Sequence, residues 1–118
     1  MLHPSPNPGD IYKLIVPKLR QSRHRHPVLV LRVSAAGATI VFMSSEFSLY
    51  TARKDFAIRT ENEDGNEFKK TGLGKSSYLI DAEVYFDVPL SSFEGEHMGT
   101  IDGRLKARIE DWWGEPIK

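Results

Sequence analysis

The sequence predicts a mainly β protein with one α-helix at its C-terminus, folded as a single domain over residues 1–118. Short runs rich in β-branched and aromatic residues alternate with clusters of glycine, proline and asparagine, which is typical of strands joined by turns. Beyond residue 102 the apolar residues take the three- and four-residue spacing of an amphipathic helix. A small, strongly bent barrel of the SH3-like kind fits this order of elements, because a flat sheet would leave its edges unprotected.

Four strands are predicted in the first half of the chain. Residues 1–8 contain three prolines and should form an extended arm, with a first strand that begins near Asp10. Val28–Val33 and Ala38–Met43 flank the turn sequence SAAG, which predicts a hairpin of buried strands. A fourth strand is expected over Asp55–Arg59.

Loops and further strands are predicted next. The acidic stretch Thr60–Glu67 and the sequence TGLGK that follows it are expected to be loops. Ser77–Val88 contains two more strand-like stretches and is ended by Pro89.

Residue types that favour helix ends, together with a helical spacing of apolar residues, predict the terminal helix. Asp102 is a residue type that favours the N-cap, and Gly114 is suited to end the helix. Leu105, Ile109 and Trp112 recur at i, i+4 and i+7, so they should share the buried face.

Composition restricts the class of protein. Hydrophobic residues make up 40% and charged residues 27% of the chain, as in an ordinary globular protein. Cysteine is absent, and His3 and His97 lack the spacing typical of a zinc site. No apolar run approaches the ~18 residues of a membrane span, and no signal sequence is recognisable. We therefore expect a cytoplasmic protein without a metal, a cofactor or membrane contact.

Charge is zero overall but unevenly distributed along the chain. Residues 11–32 include six basic side chains and no acidic one, whereas Thr60–Glu67 includes four acidic ones. A local positive field concentrates a polyanion even on a neutral molecule, because screening acts over ~8 Å at physiological salt. A solvated basic loop is the simpler alternative.

The stretch RQSRHRH, residues 20–26, combines proton-transferring and cationic side chains. Cleavage of a phosphodiester by the ribose 2′-hydroxyl needs a base at that hydroxyl, an acid at the leaving oxygen and cationic donors on the phosphate. His24 and His26 could supply the first two, and Arg23 and Arg25 the third. Exposed histidines in a basic loop remain the alternative. The later sequence TGLGKSS lacks the spacing of a P-loop, so nucleotide binding is not expected.

Five motifs follow one another along the chain: PGDIY, RHPVLVL, IVFMSS, GLGKSSYLI and MGTIDGRLKARIEDW. In this order they resemble the MazF/PemK-like toxins of bacterial type II toxin–antitoxin pairs, whose fold is related to the Kid/CcdB-like fold. The resemblance spans nearly the whole chain and implies an SH3-like barrel with a C-terminal helix. It also implies metal-independent endoribonuclease cleavage of single-stranded RNA to a 2′,3′-cyclic phosphate, and a homodimer whose RNA groove is blocked by an antitoxin protein.

The resemblance also implies candidate catalytic residues. In the family an arginine directly precedes the Pro-Val-Leu-Val block, whereas here His26 holds that position and Arg25 comes before it. Imidazole lacks the permanent charge and two-donor geometry of guanidinium, so Arg25 is kept as a candidate beside His26. The hydroxyl partner of the family, a threonine at the end of the third strand, corresponds to Ser44, with Ser45 as the alternative.

Residues that bind flanking RNA are expected in the basic segment and beside Ser44. Basic side chains there would hold phosphates, while Asp10 would help to shape the groove. The candidates are Lys13, Lys18, Arg20, Arg23, His24 and Ser45.

Two alternatives stay open at this point. One is a barrel of the same kind that binds nucleic acid or a partner protein without catalysis. The other is a gyrase-directed relative that acts through its terminal residues, here the sequence WWGEPIK, which is expected to be exposed.

Overall fold

A computed structural model of the protein describes residues 6–14, 26–44, 56–60, 66–73, 77–93 and 95–118. For residues 44, 56–60, 78, 81 and 82 it describes the backbone only. Within these ranges the elements, in chain order, are β1 (Asp10–Leu14), β2 (His26–Ser34), β3 (Gly37–Ser44), β4 (Phe56–Thr60), α1 (Asn66–Lys70), β5 (Ser77–Val88), a 3₁₀ turn (Leu90–Ser92), β6 (Glu96–Thr100) and α2 (Gly103–Trp113).

The six strands form one antiparallel sheet with the order β4-β5-β3-β2-β1-β6. Irregular pairings interrupt the register between β1 and β6, β2 and β3, β3 and β5, and β4 and β5. Bulges of this kind bend strands and increase their twist. Among the described residues no pairing joins β4 to β6, so the bent sheet is open between these two strands.

Both faces of the central strands β2 and β3 are buried. Because successive side chains of a strand point to opposite faces, each strand contributes to two apolar clusters. The inner cluster consists of Tyr12, Leu14, Val28, Val30, Ala38, Ile40, Phe42, Ile80, Val88 and Phe93. The helix-side cluster consists of Ile11, Leu29, Leu31, Val41, Met43, Leu73, Leu79, Ile101, Leu105, Ile109 and Ile117. Full burial of one such large side chain contributes about 1.5–3 kcal/mol, so these clusters are the main source of stability.

Helix α2 covers the helix-side cluster with Leu105 and Ile109. Its N-cap, Asp102, accepts a hydrogen bond from the backbone N–H of Gly103 at 2.8 Å. At the other end Gly114 has a φ of 91° and donates to the Glu110 carbonyl, which closes the last turn. Neither α1 nor α2 is long and apolar enough to span a membrane.

A second carboxylate, Glu67 of α1, also caps the start of α2. Its two oxygens accept from the backbone N–H groups of Arg104 and Leu105, each at 3.0 Å. Next to it, Lys70 donates to Asp102 at 2.6 Å. These contacts join α1 to the N-terminus of α2, where unpaired N–H groups favour negative charge.

Two glycines let α1 approach β6 closely. A Cβ at Gly72 would fall inside contact distance of the Met98 carbonyl, and a Cβ at Gly99 would meet the Lys70 and Thr71 backbone. The turn after α1 therefore packs directly against the backbone of β6.

The predicted fold class is confirmed: the protein is mainly β, with a C-terminal helix. The hairpin and the helix with its Asp102 and Gly114 ends agree with the sequence. Two predictions were wrong in part. Ser77–Val88 is one continuous strand rather than two, and the end of the acidic stretch Thr60–Glu67 begins α1 instead of continuing a loop.

We predict that Gly72→Ala destabilises the protein more than Gly114→Ala. Both glycines have positive φ, 73° and 91°, so both variants incur the left-handed penalty of about 1–2 kcal/mol. Only Gly72 faces a neighbouring carbonyl, which adds an overpacking cost of about 1–3 kcal/mol. Urea unfolding of the two variants measures the difference, and equal losses would contradict the close packing of this turn.

We also predict that Glu67→Gln lowers the melting temperature at pH 7 but not in acid. The backbone hydrogen bonds from Arg104 and Leu105 lower the pKa of Glu67, with Arg104 contributing most. Burial raises this pKa by a smaller amount. A lowered folded pKa gives stability that is present above the unfolded pKa of about 4.3 and is lost as pH falls through the folded pKa. The gap between the melting temperatures of variant and wild type should therefore narrow as pH falls below the unfolded pKa and through the lower folded pKa.

Circular dichroism melts at pH 7, 5 and 3 make this measurement. Asp111→Asn is the matched control, because Asp111 is an exposed carboxylate near the other end of α2. A gap for Glu67→Gln that has the same size at pH 7 and at pH 3 would contradict the capping role.

Candidate nucleic-acid interface

His26 is the first residue of β2 and pairs with Leu14, the last residue of β1. The pairing of β2 with β3 sets Val28 opposite Phe42. Continuing this antiparallel register by two residues sets His26 opposite Ser44, the last residue of β3. The ends of three neighbouring strands therefore meet at one edge of the sheet.

Strands β4 and β5 also reach this edge of the sheet. Ser44 pairs with Tyr78 near the start of β5, and Thr60, the last residue of β4, pairs with Ser77. We call the ends of β1, β3 and β4 together with the starts of β2 and β5 the His26 edge. In the sequence, the basic residues 15–25 connect the end of β1 to the start of β2, and they lie outside the described residues.

The side chain of His26 is half-buried and extends the inner cluster. Its ring meets Phe42 edge-on, with centroids 6.3 Å apart and an angle of 75°. Its Nε2 atom is shielded from solvent. Proton exchange with a ligand through Nε2 would therefore require the ring to turn outward.

Of the predicted RNA-binding residues, only Lys13 lies in the described part of the chain. It is exposed and pairs with Pro27 on one side and Glu96 on the other, which places its backbone at the His26 edge. By strand alternation its side chain lies on the face of Ile11, opposite to the face of the His26 ring. The candidates outside the described residues are Lys18, Arg20, Arg23, His24, Arg25 and Ser45. The structure thus brings the backbones of Lys13, His26 and Ser44 to one edge of the sheet, with the side chains of Lys13 and His26 on opposite faces.

A second group of polar side chains lies on β1 and β6. His97 Nε2 is 3.4 Å from Asp10 Oδ1, an ion-pair distance. The other oxygen of Asp10 accepts from the backbone N–H of Asn7 at 3.0 Å. The ring of Tyr12 meets the His97 ring edge-on at 5.1 Å. We call Asp10, Tyr12 and His97 the β1–β6 cluster.

A bulge in the pairing of β1 with β6 assembles this cluster. The register runs Ile11 to Gly99 and then Tyr12 to His97, so Met98 is the extra residue. Without it His97 would lie beside Lys13, on the other face from Asp10 and Tyr12. The sequence contains no local pattern that reveals this pairing, because the contact joins distant parts of the chain.

Tyr12 is a neutral phenol in this cluster. Burial raises the pKa of its phenol above the ordinary value, and the negative charge of Asp10 makes a smaller contribution in the same direction. Its ring also packs edge-on against Phe93, with centroids 5.3 Å apart. Tyr12 therefore keeps its hydroxyl hydrogen at neutral pH while its ring supports the inner cluster.

Two sequences considered for ligand binding have packing roles in the structure. In TGLGKSS, Gly72 packs against Met98 and Leu73 is buried in the helix-side cluster. At the C-terminus, Trp112 and Trp113 are half-buried against the same cluster, and Ile117 is fully buried. The expectation that the WWGEPIK segment is exposed was wrong in part, since Glu110 also accepts a hydrogen bond from the Ile117 N–H at 2.8 Å.

Metal ligands do not gather in the described ranges: no three His, Asp or Glu side chains there are arranged to hold an ion. A comparison with protein-family models finds no match, and no curated protein matches the chain either. The case for a function therefore rests on the chain's own residues and their geometry.

Proposed function

We propose that the protein is the toxin of a toxin–antitoxin pair, a metal-independent endoribonuclease that cleaves single-stranded RNA to a 2′,3′-cyclic phosphate. The strand ends support this proposal most directly, because β2 starts with His26 and β3 ends with Ser44 at an edge joined to a strongly basic sequence. Cationic donors and a hydroxyl beside an imidazole are the groups that this transesterification uses.

The reaction needs little from the protein beyond positioning and proton transfer. The 2′-hydroxyl loses its proton, its oxygen bonds to phosphorus, and the bond from phosphorus to the 5′-oxygen breaks. The leaving 5′-oxygen takes up a proton. Arg25 would stabilise the charge on the phosphate, Ser44 would donate to a phosphate oxygen, and His26 would transfer a proton.

Binding would depend on the basic residues that flank the site. Lys13, Lys18, Arg20 and Arg23 would hold phosphates on either side of the cleaved bond, with His24 and Ser45 beside them. The same proposal includes a cytoplasmic location, a homodimer and an antitoxin protein that covers the basic groove.

One observation favours a second candidate function. The ring of His26 packs on Phe42 and its Nε2 is shielded from solvent, as in a histidine that completes a core. A barrel that binds single-stranded RNA at the His26 edge without cleaving it would use the same basic residues.

We predict that the wild-type protein cuts a mixed-sequence single-stranded RNA in the presence of EDTA. Arg25→Ala and Ser44→Ala should each reduce kcat/KM by about 10²–10³-fold, the usual loss for one donor to a reacting anion. The matched control is Arg104→Ala, which removes an exposed guanidinium from α2. Mass spectrometry of the fragments identifies the cyclic phosphate.

Each outcome separates the candidates. Fragments that disappear with EDTA would contradict a metal-independent reaction. Tight binding without fragments would replace the nuclease proposal with the binding protein. Equal activity of Arg25→Ala and Arg104→Ala would remove the His26 edge as the site.

We predict a steep salt dependence of RNA affinity. If the basic sequence neutralises four phosphates, Kd should rise by ~50-fold between 50 and 200 mM salt. The double variant Lys18→Ala with Arg20→Ala should reduce the slope by about 1.4 log units per log unit of salt. Arg104→Ala with Lys106→Ala removes the same charge from α2, and an equal change in that control would contradict a specific basic groove.

A further inference from the structure

The β1–β6 cluster contains the most accessible imidazole in the described part of the protein. The side chain of His97 is 51% exposed, whereas its carboxylate partner Asp10 is only 15% exposed. Asp10 is in turn fixed by the Asn7 N–H. An exposed imidazole oriented by a restrained carboxylate is the usual arrangement of a general base and its partner.

We propose that His97, oriented by Asp10, is the general base that removes the 2′-hydroxyl proton during RNA cleavage. This inference rests on the proposed function and assigns to His97 the proton transfer that the shielded Nε2 of His26 is poorly placed to perform. If Nε2–H points to Asp10, the lone pair of the neutral ring is on Nδ1, which accepts the proton. The 2′-oxygen then bonds to phosphorus while the phosphorus–5′-oxygen bond breaks. The 5′-oxygen takes a proton from water, and protonated His97 returns its proton to the hydroxide so formed.

The position of His97 in the sheet fits this role. Tyr12 pairs with His97 on one side and with Val28 on the other, and His26 lies two residues further along β2. Strand spacing and rise put the Cα atoms of His97 and His26 ~12 Å apart on a flat sheet. One nucleotide, together with the two side chains that approach it from this face, spans that distance.

Within the described ranges, three other titratable groups lie close to His97. Asp10 and Tyr12 of β1 contact it, and Glu96 is its neighbour in β6, paired with Lys13. Of these, only Asp10 is within 4 Å as an ionic partner of the imidazole. Asp10 is therefore a positioning residue, and His97 is the group that touches substrate.

The first test measures kinetics of variants that keep their fold, checked by melting temperature. His97→Gln should lower kcat by about 10²–10⁴-fold with an RNA Kd within threefold of wild type. Asp10→Asn should lower kcat by about 10–100-fold without changing KM, and Asp10→Glu should recover part of the loss. The matched control is Glu96→Gln, which changes the exposed neighbour of His97 and should leave kcat unchanged.

The second test does not depend on turnover. Diethyl pyrocarbonate modifies accessible imidazoles, and peptide mass spectrometry measures the rate at each histidine. A 2′-O-methyl RNA oligonucleotide, which cannot be cleaved, should slow the modification of His97 at least fivefold if RNA lies on the β1–β6 cluster.

The outcomes separate the two proposals. If His97→Gln cleaves RNA at the wild-type rate and His97 is not protected, the assignment of His97 falls while the nuclease proposal stands. If the wild type binds the oligonucleotide but cuts no RNA, the nuclease proposal falls, and His97 is not a catalytic base even when it is protected. Loss of kcat together with protection supports both.

Discussion

The antiparallel pairing of β2 with β3 is the constraint on which the rest of the structure depends. Residues 28–31 of β2 and 38–43 of β3 are buried on both faces of the sheet, so a one-residue slip would exchange the side chains of the two apolar clusters. This register also determines where the two strands end, with His26 as the first residue of β2 and Ser44 as the last residue of β3. A polar site at the His26 edge is thus held by apolar packing further along the same strands.

A different set of contacts fixes β6 and, with it, the β1–β6 cluster. Gly72 and Gly99 allow the turn after α1 to touch the backbone of β6, and the Ile101 N–H donates to the Gly9 carbonyl at 2.9 Å. The bulge at Met98 then brings His97 to the side of Asp10. The contact of His97 with Asp10 is consequently set by the backbone geometry of the bulge.

Much of this architecture follows from local sequence patterns, and some does not. The apolar runs of β2 and β3 and the Asp102 and Gly114 ends of α2 carry strong local signals. The sequence EHMGT of β6 has weak strand propensity and becomes a strand through its pairing with β1. Likewise α1 lies in a stretch that resembles a loop and is stabilised by the contacts of Glu67 and Lys70 with α2.

The candidate site divides in the same way. His26 and Ser44 could be expected together, since both flank the predicted hairpin. The Asp10–His97 pair could not, because it depends on a bulge that only the tertiary pairing reveals. Lys13 lies in β1 near the expected edge of the sheet. Arg25 and the other basic candidates lie outside the described residues.

A crystal structure with a short 2′-O-methyl RNA would test the central claim most directly. The account predicts a phosphate between the start of β2 and the end of β3, with the adjacent 2′-oxygen within ~3 Å of the His97 ring. RNA bound along α2, or on the sheet with His97 far from any ribose, would contradict it.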